Sequence, residues 1–195
     1  MKLASIPAWT ADGVLPPINV AQPVSPERSP YAVSLTDYVL RFGDTPERRA
    51  ILDGYLRYRA VLHAAGLVQG FQWLNGSFLE HIETIEGRPP NDIDVVTFYH
   101  LPRGASQRQL AGKVPALTDH ALVKSTFHVD AYLVHLGMKP ERLAGQSAYW
   151  YSVWSHRRSQ LWKGFVQVEL KPDEDTAAAA TLTHLVSLAK RGAQP

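Results

Sequence analysis

Val68-Gln69-Gly70-Phe71-Gln72-Trp73-Leu74-Asn75-Gly76-Ser77 and, after a spacer, Asp92-Ile93-Asp94-Val95-Val96-Thr97-Phe98-Tyr99 decide how this chain reads. Residues 68–74 are apolar and aromatic enough to predict a strand, which Asn75-Gly76-Ser77 interrupts. A short helix is expected from Phe78 to Ile85. Gly87-Arg88-Pro89-Pro90-Asn91 is a loop, and Ile93 to Tyr99 predicts a second strand. Strand, glycine turn, helix and strand in succession are the start of an α/β arrangement.

The rest of the chain fits around that unit. Residues 1–34 hold Pro7, Pro16, Pro17, Pro23, Pro26 and Pro30, which predicts an extended arm on the domain surface, ahead of a domain over 35–195. A helix is expected from Pro46 to Ala65, with Thr45 as its cap and Gly66 as its stop. Ile51, Tyr55, Tyr58 and Leu62 share its apolar face, with Arg48, Arg49, Arg57 and Arg59 mostly elsewhere. Ser106 to Lys124 reads as helix broken at Pro115. Phe127 to Leu136 predicts a third strand, and 161–170 contains a fourth. Thr176 to Lys190 closes as a helix burying Leu182, Leu185, Val186 and Leu188. The expected class is α/β or α+β, with a single mixed sheet flanked by helices.

Composition narrows the function. The chain has 195 residues, enough for one cored domain, and a net charge of only +2. It has no cysteine, so neither a disulfide framework nor a thiolate metal site is available. The eight histidines show no zinc spacing; His120, His128 and His135 do not match one. No apolar run approaches a membrane span, and no signal-like segment opens the chain, so a cytoplasmic location without membrane partners is expected.

The chemistry concentrates in three pieces. Gly76-Ser77 lies between a strand and a helix, where glycine lets the backbone approach a phosphate and the helix start offers N–H groups to an anion. Ser77 adds a hydroxyl; the plainer reading makes it a helix cap. Asp92 and Asp94 open a strand two residues apart, so both carboxylates point one way and repel unless a cation joins them. Asp130 stands between Val129 and Ala131 in an apolar strand, where burial demands a metal or donors. If the two strands are neighbours, three carboxylates converge in the manner of two-metal sites.

These motifs resemble the hallmark of the polymerase-beta-like nucleotidyltransferase superfamily: a hydrophobic residue, Gly-Ser, a spacer, Asp-hydrophobic-Asp on a strand, then a later acidic residue. Leu15-Pro16-Pro17, the arginine-rich first helix and Gly76-Ser77-Phe78 are similar to a narrower, uncharacterised group of small bacterial proteins of that fold. The resemblance implies a nucleoside triphosphate held by Gly76, Ser77 and Lys163, and Mg²⁺ or Mn²⁺ held by Asp92, Asp94 and Asp130. It implies transfer of a nucleoside monophosphate to a hydroxyl of a protein, an RNA or a small molecule. Small proteins of this fold are often half of a toxin–antitoxin or phage-defence pair, which makes a protein partner encoded nearby an expectation. The fourteen-residue spacer between Ser77 and Asp92 is long for the family, and no appended tRNA- or template-binding domain is evident. The alternative is a non-catalytic nucleotide-binding or interaction module of the same fold.

Several residues keep two readings. Lys163 either meets phosphate or is a solvated strand-edge lysine; Arg157 and Arg158 divide the same way. Tyr132 either stacks a base or packs in the core. Tyr149, Trp150, Tyr151, Trp154 and Trp162 either stack a base or single strand or form core or interface. Glu80, Glu83 and Glu86 are expected on a solvated helix face, and His81, His100 and His156 carry no role.

Overall fold

The computed structural model describes residues 3–114 and 119–192. Among these, a five-stranded sheet runs in the order β1-β5-β2-β3-β4. Its strands are β1 (Tyr31–Ala32), β2 (Gly70–Asn75), β3 (Ile93–Tyr99), β4 (Val129–His135) and β5 (Val166–Glu169). The helices are α1 (Leu35–Phe42), α2 (Pro46–Ala64), α3 (Ile82–Glu86), α4 (Gln107–Lys113), α5 (His120–Phe127), α6 (Pro140–Trp154) and α7 (Asp175–Gly192). β2 is antiparallel to β3 and β5, whereas β3–β4 and β1–β5 are parallel, so the sheet is mixed.

Alternation along the strands divides the molecule into two layers. One face turns Gln72 and Thr97 toward α2, where Tyr55 Oη donates to Gln72 Oε1 (2.7 Å) and Gln72 Nε2 donates to Thr97 Oγ1 (2.9 Å). The other turns Asn75, Asp94, Asp130 and Tyr132 toward α6, whose Trp150 packs on Tyr132 with ring centres 4.6 Å apart. α2 begins as expected: Thr45 Oγ1 accepts from the Arg48 N–H at 3.2 Å, and Pro46 stands in the first turn. Gly66, at φ +84°, supplies the left-handed step after it.

Several expectations change. Arg48 and Arg59 are fully buried rather than on a solvated side of α2. Arg59 binds Asp175 (3.0 and 2.7 Å), Gln72 Oε1 (2.7 Å) and the Lys171 carbonyl (3.1 Å), tying the start of α7 to the sheet. The helix expected over 78–85 is split into a 3₁₀ turn at Ser77–Leu79 and α3. A continuous helix would need the carbonyls of Phe78 and Glu80 for itself; both instead accept from Arg48, each at 2.7 Å. The proline-rich arm is not merely superficial. Val14 and Leu15 are buried, and Tyr31–Ala32 adds an edge strand beside β5. α1 and α6 arise where no helix was expected, each with a ready start: Ser34 Oγ accepts from Asp37 N–H (2.9 Å), and Pro140 opens α6. Leu188 of α7 is exposed, not buried. The expected break at Pro115 lies outside the described residues. Among those residues, no helix is long and apolar enough to cross a membrane.

Candidate active site

The carboxylates meet because of strand register. β3 and β4 are parallel neighbours, and Asp94 is paired directly with Asp130. Paired residues of adjacent strands point to the same side of a sheet. Asp92, two residues before Asp94, joins that side. On the flanking strand Asn75 is paired with Asp94 from the other direction, which brings the Gly76 turn against it. Gly76 has φ +88°, and a Cβ there would lie 3.0 Å from Asp94 Oδ2. Glycine is therefore required twice, by backbone conformation and by contact with the carboxylate.

The turn itself is anchored from below. Besides the two carbonyls, Arg48 binds Glu83 through Nε (2.6 Å) and Nη2 (2.9 Å). Burial alone would raise Glu83, but the hydrogen bonds and charge of Arg48 hold it below the ordinary glutamate range. Ser77 is the first residue of the 3₁₀ turn, whose cap position is held by Gly76. The leading N–H groups of such a turn lack intrahelical partners, but there is no long helix behind them to add a strong dipole.

Burial and like charge act on Asp94 together. Burial first, then the charges of Asp92 and Asp130, push its pKa up to about 6, with Lys163 and Lys124 opposing. Lys124, on α5, was not anticipated from the sequence. Its Nζ lies 2.6 Å from Asp92 Oδ2 and 3.6 Å from Asp130 Oδ2. The Asp92 oxygen is sealed from solvent, and this ion contact is not an aligned hydrogen bond. The close Asp92 contact first, then the charges of Asp92, Asp130 and Asp94, raise the Lys124 pKa against burial, so the ammonium stays charged. A lysine nine residues after Pro115 and six before a strand acid carries no recognisable spacing, which is why the sequence did not reveal it.

Around the carboxylates lies a cavity of about 810 Å³, lined also by Asn75, Gly76, Ser77, Arg88, Val153, Trp154, His156, Arg157, Arg158 and Lys163. Its basic side is partly self-neutralised. Glu80, expected in solvent, is buried and accepts from Lys163 Nζ (2.6 Å) while pairing with Arg157 Nε (3.1 Å). Glu86 binds Arg157 (2.6 Å) and Arg88 (2.8 Å). Lys163 is thus neither solvated nor free for phosphate as it stands. Arg158, at the cavity rim, is exposed. The aromatic cluster divides: Trp154 is buried in the layer under α6, whereas Tyr149 and Trp162 are exposed. His156 lines the cavity, and His81 stacks on Trp9 with centres 4.5 Å apart. A slightly larger concavity, about 880 Å³, lies between α2 and α7. Its wall is mostly apolar, including Ala50, Leu56, Ala60, Leu182 and Val186, and its one carboxylate, Asp53, is paired with Arg57 at 3.0 Å.

The donor chemistry suits a hard divalent cation. Asp92, Asp94 and Asp130 offer only oxygen, as magnesium prefers. Asn75 Nδ2 donates to the Trp154 carbonyl (2.9 Å), which fixes the amide orientation. Its Oδ1 is buried with no hydrogen-bond partner among the described residues. An unmet acceptor beside three carboxylates favours a cation or a donor there. In the arrangement with Lys124 bridging, no three acidic or histidine side chains among the described residues are drawn around one point at ligand distance.

No curated protein and no solved structure matches the chain. One family model does, over residues 7–169, a span that includes Gly76, Ser77, Asp92, Asp94, Lys124, Asp130 and Lys163. The chain therefore belongs to the family of unknown function DUF6932.

Proposed function

We propose that this protein is a metal-dependent nucleotidyltransferase, moving a nucleoside monophosphate from a nucleoside triphosphate to an acceptor hydroxyl. The observation that carries the reading is the in-register pairing of Asp94 with Asp130, with Asp92 on the same sheet face and Gly76 packed on Asp94. Three carboxylates beside a backbone turn with free N–H groups are suited to a polyphosphate carried with its cation, and poorly suited to a bare anion.

Asp92, Asp94 and Asp130 would hold Mg²⁺ or Mn²⁺, which when bound supplies charge neutralisation for the triphosphate and acidifies the acceptor hydroxyl. The Gly76–Ser77 turn cradles phosphate oxygens, and Arg158 at the rim meets their outward charge. Asp130 receives the proton of the acceptor hydroxyl. The acceptor oxygen bonds to the α-phosphorus as the bridging α–β bond breaks, and that electron pair leaves with pyrophosphate. The acceptor enters past Val153, His156 and Ser159, the exposed side of the cavity.

The test is transfer of label from α-labelled NTP, with Mg²⁺ or Mn²⁺, to protein, RNA and small hydroxyl acceptors. Pyrophosphate release with acceptor labelling is the expected result. Metal-dependent NTP binding without transfer to any acceptor would reject catalysis and favour the nucleotide-binding module.

A further inference from the structure

We infer that Lys124 is a resident counter-cation of the carboxylate cluster, which a divalent ion must displace to bind; this rests on the metal-dependent reading above. Three negative groups on one sheet face repel one another, and the protein must hold them together before any metal arrives. Lys124 does so from α5, its Nζ standing between Asp92 (2.6 Å) and Asp130 (3.6 Å).

Its placement is built rather than incidental. α5 is capped by Asp119, whose carboxylate accepts from the Leu122 N–H at 3.0 Å, and is anchored by buried Val123. It ends in His128, in the left-handed conformation at φ 54°. The His128 carbonyl then accepts from the Ile93 N–H at 3.0 Å, locking the end of α5 to the start of β3 between Asp92 and Asp94. The cations on the opposite wall are otherwise engaged: Lys163 and Arg157 with Glu80, Arg88 with Glu86. Among the described residues, direct ion pairing with the cluster therefore falls to Lys124, while Lys163 acts on Asp94 only through longer-range charge.

The same geometry makes the neutralisation provisional. The Lys124 side chain is 53% exposed, and its ammonium is a point charge on a flexible stem that swings away without disturbing α5. It satisfies only two of the three carboxylates; no ion pair reaches Asp94 among the described residues, and Asn75 Oδ1 is also left unmet. A divalent ion would carry twice the charge and take more oxygen ligands than an ammonium can pair with, so it would outcompete the lysine by charge and by ligand number. Lys124 thereby weakens the apparent metal affinity while keeping the metal-free site assembled, and its released ammonium faces the cavity when the metal is in.

The test is Mn²⁺ titration of the full chain, reading free Mn²⁺ by electron paramagnetic resonance, for wild type, Lys124→Gln and Lys124→Arg. Lys124→Gln is expected to bind Mn²⁺ at least about 10-fold more tightly than wild type, because the competing charge is gone, and Lys124→Arg to bind no more tightly than wild type. Thermal unfolding gives an independent readout. Lys124→Gln should melt lower than wild type without metal and gain more from added Mn²⁺. Equal or weaker Mn²⁺ binding by Lys124→Gln would overturn the inference while leaving a metal site standing. Absence of Mn²⁺ binding in all three proteins would overturn the metal reading, and this inference with it.

Discussion

Arg48→Met isolates what the buried guanidinium does for the turn beneath the site. The substitution keeps an apolar stem of similar length and removes the donors. In the wild type those donors satisfy the carbonyls of Phe78 and Glu80 at 2.7 Å each and the Glu83 carboxylate at 2.6 and 2.9 Å, with Arg48 wholly buried. Glu83 is 29% exposed and regains part of its hydration when the arginine is lost. The carbonyls are less free to do so, and an orphaned buried acceptor costs about 1–3 kcal/mol. The sum is about 3–5 kcal/mol, the range for breaking a buried ion pair. Urea unfolding reads this as a midpoint lowered by about 1–2 M. Arg57→Met on the same helix is the control. Arg57 pairs with Asp53 at 3.0 Å, but the two side chains are 53% and 65% exposed, so its loss should cost no more than about 0.5 kcal/mol. If the two variants unfold within about 0.3 M of each other, Arg48 is not the anchor of the turn and the reasoning fails.

Three further outcomes follow from the site. Asp94 titrates at about 6 in the folded chain against 3.8 ordinarily, so the folded state binds its proton more tightly. Stability of the metal-free protein should therefore fall as pH rises from about 4 to 6, by at most about 3 kcal/mol, and Asp94→Asn should flatten that slope in chemical unfolding. Gly76→Ala places a methyl 3.0 Å from the Asp94 carboxylate on a backbone at φ +88°; it should cost about 1–3 kcal/mol and abolish metal-dependent NTP binding by calorimetry. Asp130→Asn should lower label transfer at least about 100-fold with a melting temperature no lower than wild type, because it removes a repelling charge without changing shape. A variant that transfers normally would exclude Asp130 as the proton acceptor.

Periodicity and punctuation carried the fold where they were strong. β3 runs over Ile93–Tyr99 as expected, and α2 starts at Pro46 because Thr45 and Pro46 are local signals that tertiary context did not overrule. α6 escaped notice because its aromatic residues serve the layer over the sheet and an exposed rim at once, which blurs a single apolar stripe. The site was legible as residue types, since Asp-X-Asp and a lone strand acid are chemically conspicuous. Their ion-pair partners were not. Glu80 with Lys163, and Arg48 with Glu83, are long-range pairs fixed by the packing of the 3₁₀ turn, and nothing in local spacing distinguishes them from solvated charges.

Among the described residues β4 is the outermost strand on its side of the sheet, so Asp130 is paired to the rest of the sheet through a single ladder, with α5 before it and α6 packed on its Tyr132. A chain folding outward from β2 and β3 possesses the Gly76 turn and the Asp92–Asp94 couple before the third acid docks. Loosening of that border alone would separate the third carboxylate while the central strands stay paired, so the proposed transfer should fade on warming ahead of the global melt.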